Sequence, residues 1–297
     1  MKNNELDEKL EFMMEVAKQA GSIIQKGFYC PDKEVRLKED GSVVTDTDLR
    51  VRDLVRERFA KEFPECGLLT EESKDSPERL SNEHVFIVDE LDGTADFSRG
   101  ERDISFLCAY VEKGTPLIGV VNEPLKGRVF YAQKGDDRAY ADLGGGEGRW
   151  FRRGTEIEVT LSEGIEWFRK PPVRWENLRA SHPKNCKGNK YPRLYQMLGI
   201  GEKQIISAGG IGTRMMQVVK YESDVILGYT KKLKEWDVAA GQVILEAAGI
   251  SVTDMFGNPL VYNKPIPNTE KGILVIDPAI KQQMLEKLAE CYDKLPM

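Results

Sequence analysis

A chain of 297 residues with a formal net charge of -6 and 31% charged residues can bury a substantial core in one large domain or two smaller ones, and its negative balance speaks against a nucleic-acid polymer as partner. No apolar run reaches the ~20 residues of a membrane helix, and the charged start from Met1 to Leu10 is unlike a signal peptide, so a cytoplasmic protein without a membrane partner is expected. Five scattered cysteines without a Cys-x-x-Cys pair and only two histidines, His84 and His182, argue against a disulfide framework, a zinc site or a His-based triad.

Leu6 to Phe28 carries apolar residues at helical spacing (Leu6, Leu10, Met13, Met14, Ala17, Ala20, Ile24), which predicts a long amphipathic helix. Val43-Val44 then run into the cluster Thr45 to Asp48, ahead of a helix over Leu49 to Phe63 that Pro64 stops; Asp46 or Thr47 is its expected N-cap. Gly67 to Thr70 reads as a short strand ending in Glu71-Glu72, and Val85 to Val88 as a buried strand with Asp89 and Asp92 at its exit. Gly93 permits a tight turn, and Thr94 to Ser98 open a short helix whose first N–H groups lack an internal partner and suit an anion. Two carboxylates beside free N–H groups fit a phosphate bridged by Mg2+. The same residues also read as an Asp-rich turn that caps a helix.

Ile104 to Val111, Pro116 to Val121, Arg128 to Ala132 and Arg138 to Ala141 are strand-like runs separated by turn residues, an antiparallel meander. Asp142 to Gly154 contains Gly144 to Gly148 with no Gly-Lys-Ser/Thr after it, so it reads as a flexible connection and divides the chain into 1–150 and 151–297. Ile157, Val159 and Leu161 alternate, followed by an irregular Trp/Pro-rich segment to Trp175 and a weak strand from Leu178 that ends on a polar turn at Ser181-His182-Pro183. Pro192 to Leu198 is a short helix, and Ile205 to Gly212 lead through Gly209-Gly210 to Thr213, the expected cap of a helix to about Tyr221 and a second anion-facing helix start. Val225 to Leu227, Ile250 to Val252 and Gly272 to Ile276 are strands; Trp236 to Ala248 and Pro278 to Tyr292 are helices, with Asp237 in the first turn of the former.

Asp48, Glu71, the pair Asp89/Asp92 and Asp237 each have an ordinary structural reading. Together their surroundings resemble the motifs of the inositol monophosphatase superfamily of Mg2+-dependent, Li+-sensitive phosphatases. Val44 to Asp48 looks like its Val-Thr-x-x-Asp, Leu69 to Ser73 its Gly-Glu-Glu-Ser, Asp89 to Thr94 its Asp-Pro-Ile-Asp-Gly-Thr, and Trp236 to Gly241 its Trp-Asp-x-Ala-Ala-Gly. The resemblance implies an α+β layered sandwich of the inositol monophosphatase and fructose-1,6-bisphosphatase type, with the site between two halves. It also implies that Glu71, Asp89, Asp92, Asp237 and the Leu91 carbonyl hold two or three Mg2+ ions and that the Gly93 and Thr94 N–H groups take the phosphate. Asp48 would orient the Thr94 hydroxyl, and Thr94 with Glu71 would position and deprotonate the attacking water.

Glu90 stands where the family has proline, Thr70 where it has glycine, and Ala95-Asp96 where it has Thr-Asn or Lys-Glu. Ala180-Ser181-His182, Glu235-Trp236-Asp237 and Gly257 to Lys264 resemble elements of the bisphosphate nucleotidases, which points to a small phosphorylated metabolite such as 3′-phosphoadenosine 5′-phosphate, with His182, Thr213 and Arg214 as substrate residues. Gly210 to Arg214 departs from the nucleotidase Gly-Ser-Ser-Leu-Lys, so an inositol or sugar phosphatase stands as the alternative, and a Mg2+-binding regulatory or scaffold protein as the non-enzymatic one. The reading leaves room for a homodimer.

Overall fold

The computed structural model describes residues 2–136, 138–144, 147–152, 156–161, 164–169, 172–184, 190–228 and 233–291. The apolar stripe at the start forms helix α1 (Lys2–Phe28), with Met13, Val16, Ala17, Ala20 and Ile24 buried. A hairpin of β1 (Val35–Leu37) and β2 (Val43–Thr45) leads into α2 (Asp46–Glu62). Thr45, rather than Asp46 or Thr47, caps α2: its hydroxyl accepts from the Asp48 N–H while the Asp48 carboxylate accepts from the Thr45 N–H. That reciprocal pair satisfies donors that a helix start otherwise leaves open, so the helix begins ahead of Leu49.

Strand β3 (Gly67–Thr70) pairs in parallel with β4 (His84–Asp92), which runs into α3 (Thr94–Ser98). The expected meander follows as β5 (Ser105–Glu112), β6 (Thr115–Glu123), β7 (Arg128–Gln133) and β8 (Arg138–Gly144). It does not stop at the glycine-rich stretch. Strands β9 (Glu147–Arg152), β10 (Glu156–Leu161) and β11 (Gly164–Arg169) continue the same sheet, in the order β11-β10-β9-β8-β7-β6-β5-β4-β3. The stretch around residue 150, where the division of the chain is expected, lies inside this sheet: Gly144 and Glu147 face each other across the β8–β9 ladder, and the change of sheet falls between Arg169 and Ala180. The segment expected to be irregular up to Trp175 holds β11, whose ladder with β10 supplies non-local bonds that local propensity does not report.

The second sheet, β13-β12-β14-β16-β15, is built from β12 (Ala180–Pro183), β13 (Ile205–Ala208), β14 (Val225–Gly228), β15 (Ser251–Thr253) and β16 (Ile273–Ile276). Helices α4 (Lys190–Met197), α5 (Ile211–Val219), α6 (Glu235–Ala247) and α7 (Pro278–Cys291) complete the described chain. Cys186 and Tyr292 lie outside the described residues. Gly210, rather than Thr213, is the N-cap of α5, because the chain turns helical as soon as it leaves the Gly209-Gly210 step and Thr213 is already inside the first turn.

Side-chain alternation along the strands decides the layers. On the first sheet Phe86, Val88, Phe106, Cys108 and Tyr110 meet α1 and α2, while Val85, Ile87, Leu107, Ala109 and Val111 meet α5 and α6. On the second, Ile226, Ile273 and Val275 face α5 and α6 from the other side, and Val225, Leu227, Leu274 and Ile276 pack on Leu194 of α4 and Met284 of α7. The product is the expected α+β sandwich, layered helix, sheet, helix, sheet, helix, with β4 buried on both faces. No described helix is long and apolar enough to cross a membrane.

Candidate active site

Strand β4 carries the centre of the site. Its pairing with β5 breaks register between Asp89 and Asp92, and a bulge of this kind re-aims side chains that regular alternation would send to opposite faces. The Asp89 carboxylate accepts from the Leu91 N–H (3.0 Å). Asp92 is held by three donors: the Ile211 N–H (3.0 Å), the Gly212 N–H (2.8 Å) and the Ser105 hydroxyl (2.9 Å). The anion expected at the start of α5 is therefore, in this structure, the Asp92 side chain itself. Gly93 follows in the left-handed region (φ 90°) and lies against Gly210, where a Cβ would stand 3.6 Å from the Gly210 Cα. A Cβ on Gly210 would collide with the Asp92 carboxylate. These two glycines let the start of α3 and the start of α5 meet.

Asp48 enters from the first turn of α2 and is fully buried. One carboxylate oxygen accepts from the Thr94 hydroxyl (2.8 Å), and the other from the Thr45 N–H (2.8 Å) and the Thr45 hydroxyl. The Thr94 oxygen also lies 2.9 Å from the Leu91 carbonyl. Burial raises the Asp48 pKa above the ordinary carboxylate value, against the opposing pull of the Thr45 and Thr94 hydrogen bonds. The capping reading of Asp48 and its pairing with Thr94 hold together, one on each side of the same carboxylate.

Asp237, in the first turn of α6, accepts from the Lys234 N–H (2.6 Å). Desolvation pushes Asp89 and Asp237 well above the ordinary carboxylate range, and mutual repulsion adds to it: Asp89 feels Glu71, Asp92, Asp237 and Glu90, and Asp237 feels Glu71 and Asp92. Burial likewise raises Asp92, which its hydrogen bonds and Arg214 partly offset. Behind these acids Glu90 is fully buried and pushed up to about 8 by burial and by Glu72 and Glu71. Glu72 is raised to about 7.

Sequence reasoning passed over Lys38, whose ammonium bridges Glu71 (3.0 Å) and Glu72 (2.6 Å) from the β1–β2 hairpin. Burial opposes its charge, and the two glutamates outweigh that and raise its pKa. No periodicity marks this lysine. Ser105 is likewise unmarked by pattern, whereas Thr45 stands in the Val44 to Asp48 motif.

The acids fit a hard divalent cation. All are oxygen donors, they repel one another in a low-dielectric site, and a cationic side chain already lies against Glu71. Among the described residues no three His, Cys, Asp or Glu side chains form a ready coordination shell, so they are electrostatic neighbours rather than a pre-closed cage. A cavity of about 510 Å³ bordered by Asp254, Leu260, Lys264, Thr269 and Lys271 has none of these acids in its walls.

The expected substrate residues cluster beside Asp92. His182, half-buried on β12, packs edge-on against Tyr191 and Tyr195 (ring centroids 5.2 and 5.7 Å apart), and its Nδ1 has no partner. Burial, and then Arg214, lower its pKa. Arg214 on α5 is 6% exposed, and its Nε and Nη1 are buried without a partner. The Thr213 hydroxyl is also buried and unpaired. The nucleotidase-like elements behave differently: the Glu235 carboxylate accepts from the N–H groups of Asn263 (2.7 Å) and Lys264 (3.1 Å). They hold each other and form scaffold.

The model of the inositol monophosphatase family matches residues 5–292. The 3′(2′),5′-bisphosphate nucleotidase CysQ of Aggregatibacter actinomycetemcomitans is 27% identical over 258 residues, 86% of this chain and 87% of that protein. Among solved structures, a Thermotoga maritima IMPase superposes with a TM-score of 0.75 at 21% identity, covering 97% of this chain and 100% of the other. An IMPase/NADP phosphatase complexed with Mg2+ and phosphate gives 0.71 at 19% identity, over 97% and 96% of the two chains.

Proposed function

The chain belongs to the inositol monophosphatase family, a family of phosphatases, and from that membership we propose that it hydrolyses a small phosphomonoester with Mg2+, preferring a substrate with a second, uncleaved phosphate such as 3′-phosphoadenosine 5′-phosphate. Glu71, Asp89, Asp92, Asp237 and the Leu91 carbonyl would hold the ions. Bound there, Mg2+ supplies charge neutralisation and Lewis acidity. The Gly93 and Thr94 N–H groups, at the open start of α3, take phosphate oxygens.

The Thr94 hydroxyl has a single proton and two close acceptors. Donating it to Asp48 leaves lone pairs to accept a proton from the attacking water. As the water oxygen bonds to phosphorus, the ester P–O bond breaks and the departing alkoxide takes a proton from a second water, while the attacking water's proton passes to Thr94 and the Thr94 proton to Asp48, whose burial raises its affinity for it. Glu71, one of whose carboxylate oxygens pairs with Lys38, would orient the same water. Asp48 is a buried base that the Thr94 hydroxyl joins to the water.

The bisphosphate preference rests on one observation, the unpartnered, buried Arg214 guanidinium beside His182 and within electrostatic reach of Asp92. Two buried guanidinium N–H groups without a partner suit the charged oxygens of a phosphate, and the similarity to a bisphosphate nucleotidase supports the same class. Removing a charged hydrogen bond to a remote phosphate costs about 1.5–3 kcal/mol, a ~10- to 150-fold loss in kcat/KM. Arg214→Ala is expected to lose that much on 3′-phosphoadenosine 5′-phosphate and little on inositol 1-phosphate. Equal losses, or a parent that prefers the inositol compound, would replace this reading with an inositol or sugar phosphatase. No hydrolysis of either by the parent in saturating Mg2+ would favour a regulatory scaffold.

A further inference from the structure

Asp237 reaches the site from α6, whereas Glu71, Asp89 and Asp92 come from β3 and β4, and something must fix the spacing between the two supports. Arg79 lies in a short 3-10 turn (Pro77–Ser81) that joins β3 to β4. It is 2% exposed, and its backbone packs on Gly67, where a Cβ would stand 3.1 Å from the Arg79 Cβ. Its guanidinium is used up: Nε and Nη2 donate to Asp75 (2.6 and 2.7 Å), Nη1 to the Asn263 side chain (2.7 Å), and Nη2 also to the Lys264 carbonyl (3.0 Å). The Asn263 amide returns a bond to the Arg79 carbonyl (3.0 Å).

Asn263 and Lys264 in turn deliver their N–H groups to Glu235, the first residue of α6. Asn263 does so from a left-handed backbone (φ 59°), a conformation that persists in a non-glycine residue only when its surroundings fix it. The same segment holds the turn on the other side, through the Glu235 N–H to the Pro267 carbonyl (2.9 Å) and the Lys234 ammonium to the Asn268 side-chain oxygen (2.6 Å). Lys234 then donates its own N–H to Asp237. A continuous set of part-buried polar contacts thus runs from the β3–β4 turn to the Asp237 carboxylate.

We propose that Arg79 is a positioning residue for divalent-cation binding: through Asn263 and Glu235 it sets the start of α6, and so keeps Asp237 among Glu71, Asp89 and Asp92, the acids that a shared cation would draw together. This rests on the Mg2+ reading above. A lysine keeps the charge and loses the fork, so it cannot serve Asp75, Asn263 and Lys264 together. Groups that support metal ligands without touching the metal typically change affinity 10- to 100-fold when replaced.

The test is Mg2+ titration by calorimetry of the full chain, parent against Arg79→Lys, with Asn263→Ala measured alongside so that a folding failure of one leaves the other. Circular dichroism checks the fold. The expected result is a Kd for Mg2+ weakened about 10- to 100-fold, with kcat restored at raised Mg2+ and the substrate KM near the parent value. An unchanged Kd in a folded variant overturns the proposal. So does a kcat loss that raised Mg2+ does not restore, which would make Arg79 a general structural residue. A parent that binds no Mg2+ at all would instead remove the metal reading itself.

Discussion

The Thr94 hydroxyl and the Asp48 carboxylate are the most exposed part of the proposed chemistry to single-atom tests. Thr94→Ala keeps the backbone N–H and deletes the hydroxyl that bonds Asp48, so kcat is expected to fall by about 100-fold or more while KM changes little. Asp48→Asn is expected to do the same, with an added loss of about 0.5–2 kcal/mol of stability, because the carboxylate also closes the capping box on Thr45. Steady-state kinetics and thermal melts on the two variants separate the roles: parental kcat in Thr94→Ala would return Asp48 to a cap and nothing more. Both readings of Asp48 were open in the sequence, and geometry shows that they coexist on opposite oxygens.

At the scale of elements, the start of α5 is a tight joint. Gly210 has an ordinary backbone conformation, so alanine there is strained only by the Asp92 carboxylate it would strike. Gly210→Ala is expected to force Asp92 off the Ile211 and Gly212 N–H groups and lower kcat/KM by roughly 100-fold, the scale of an ångström-sized misplacement. Measured kinetics at parental level would mean that the joint has slack. The elements themselves were largely legible. Helical spacing marked α1, α2, α6 and α7, and turn residues marked the meander. What stayed hidden depends on partners distant in sequence. β11 exists because β10 pairs with it, β1 because β2 does, and the cap of α5 is a glycine because Asp92 occupies the space above it. The motif residues that carry the site stood out as motifs. Lys38, Ser105 and Arg79 did not, since a lone lysine, serine or arginine has no pattern to betray it.

For the molecule as a whole, gathered buried acids make stability depend on pH and cation together. Raised carboxyl pKa values mean that the folded state binds more protons than the unfolded one, so this contribution is full below the ordinary carboxylate values and is lost as pH rises through the folded values, about 7 for Glu72 and about 8 for Glu90. The Mg2+-free protein is therefore expected to melt at lower temperature at pH 8.5 than at pH 5.5, allowing roughly one pH unit either side of those values. Mg2+ at about 100 times its Kd should add ~2.7 kcal/mol at the higher pH. Differential scanning calorimetry in the four conditions checks both statements, and a melt indifferent to Mg2+ at pH 8.5 would contradict the second. The two sheets also differ in what they lend. Glu71, Asp89, Asp92 and Thr94 follow the strands of the first sheet, His182 stands on β12 of the second, and α5 with Arg214 and α6 with Asp237 lie between the two sheets. A descendant of this sequence can therefore exchange what it recognises by altering one sheet's borders while inheriting its hydrolytic machinery intact, provided the glycine seam at Gly209-Gly210 is kept.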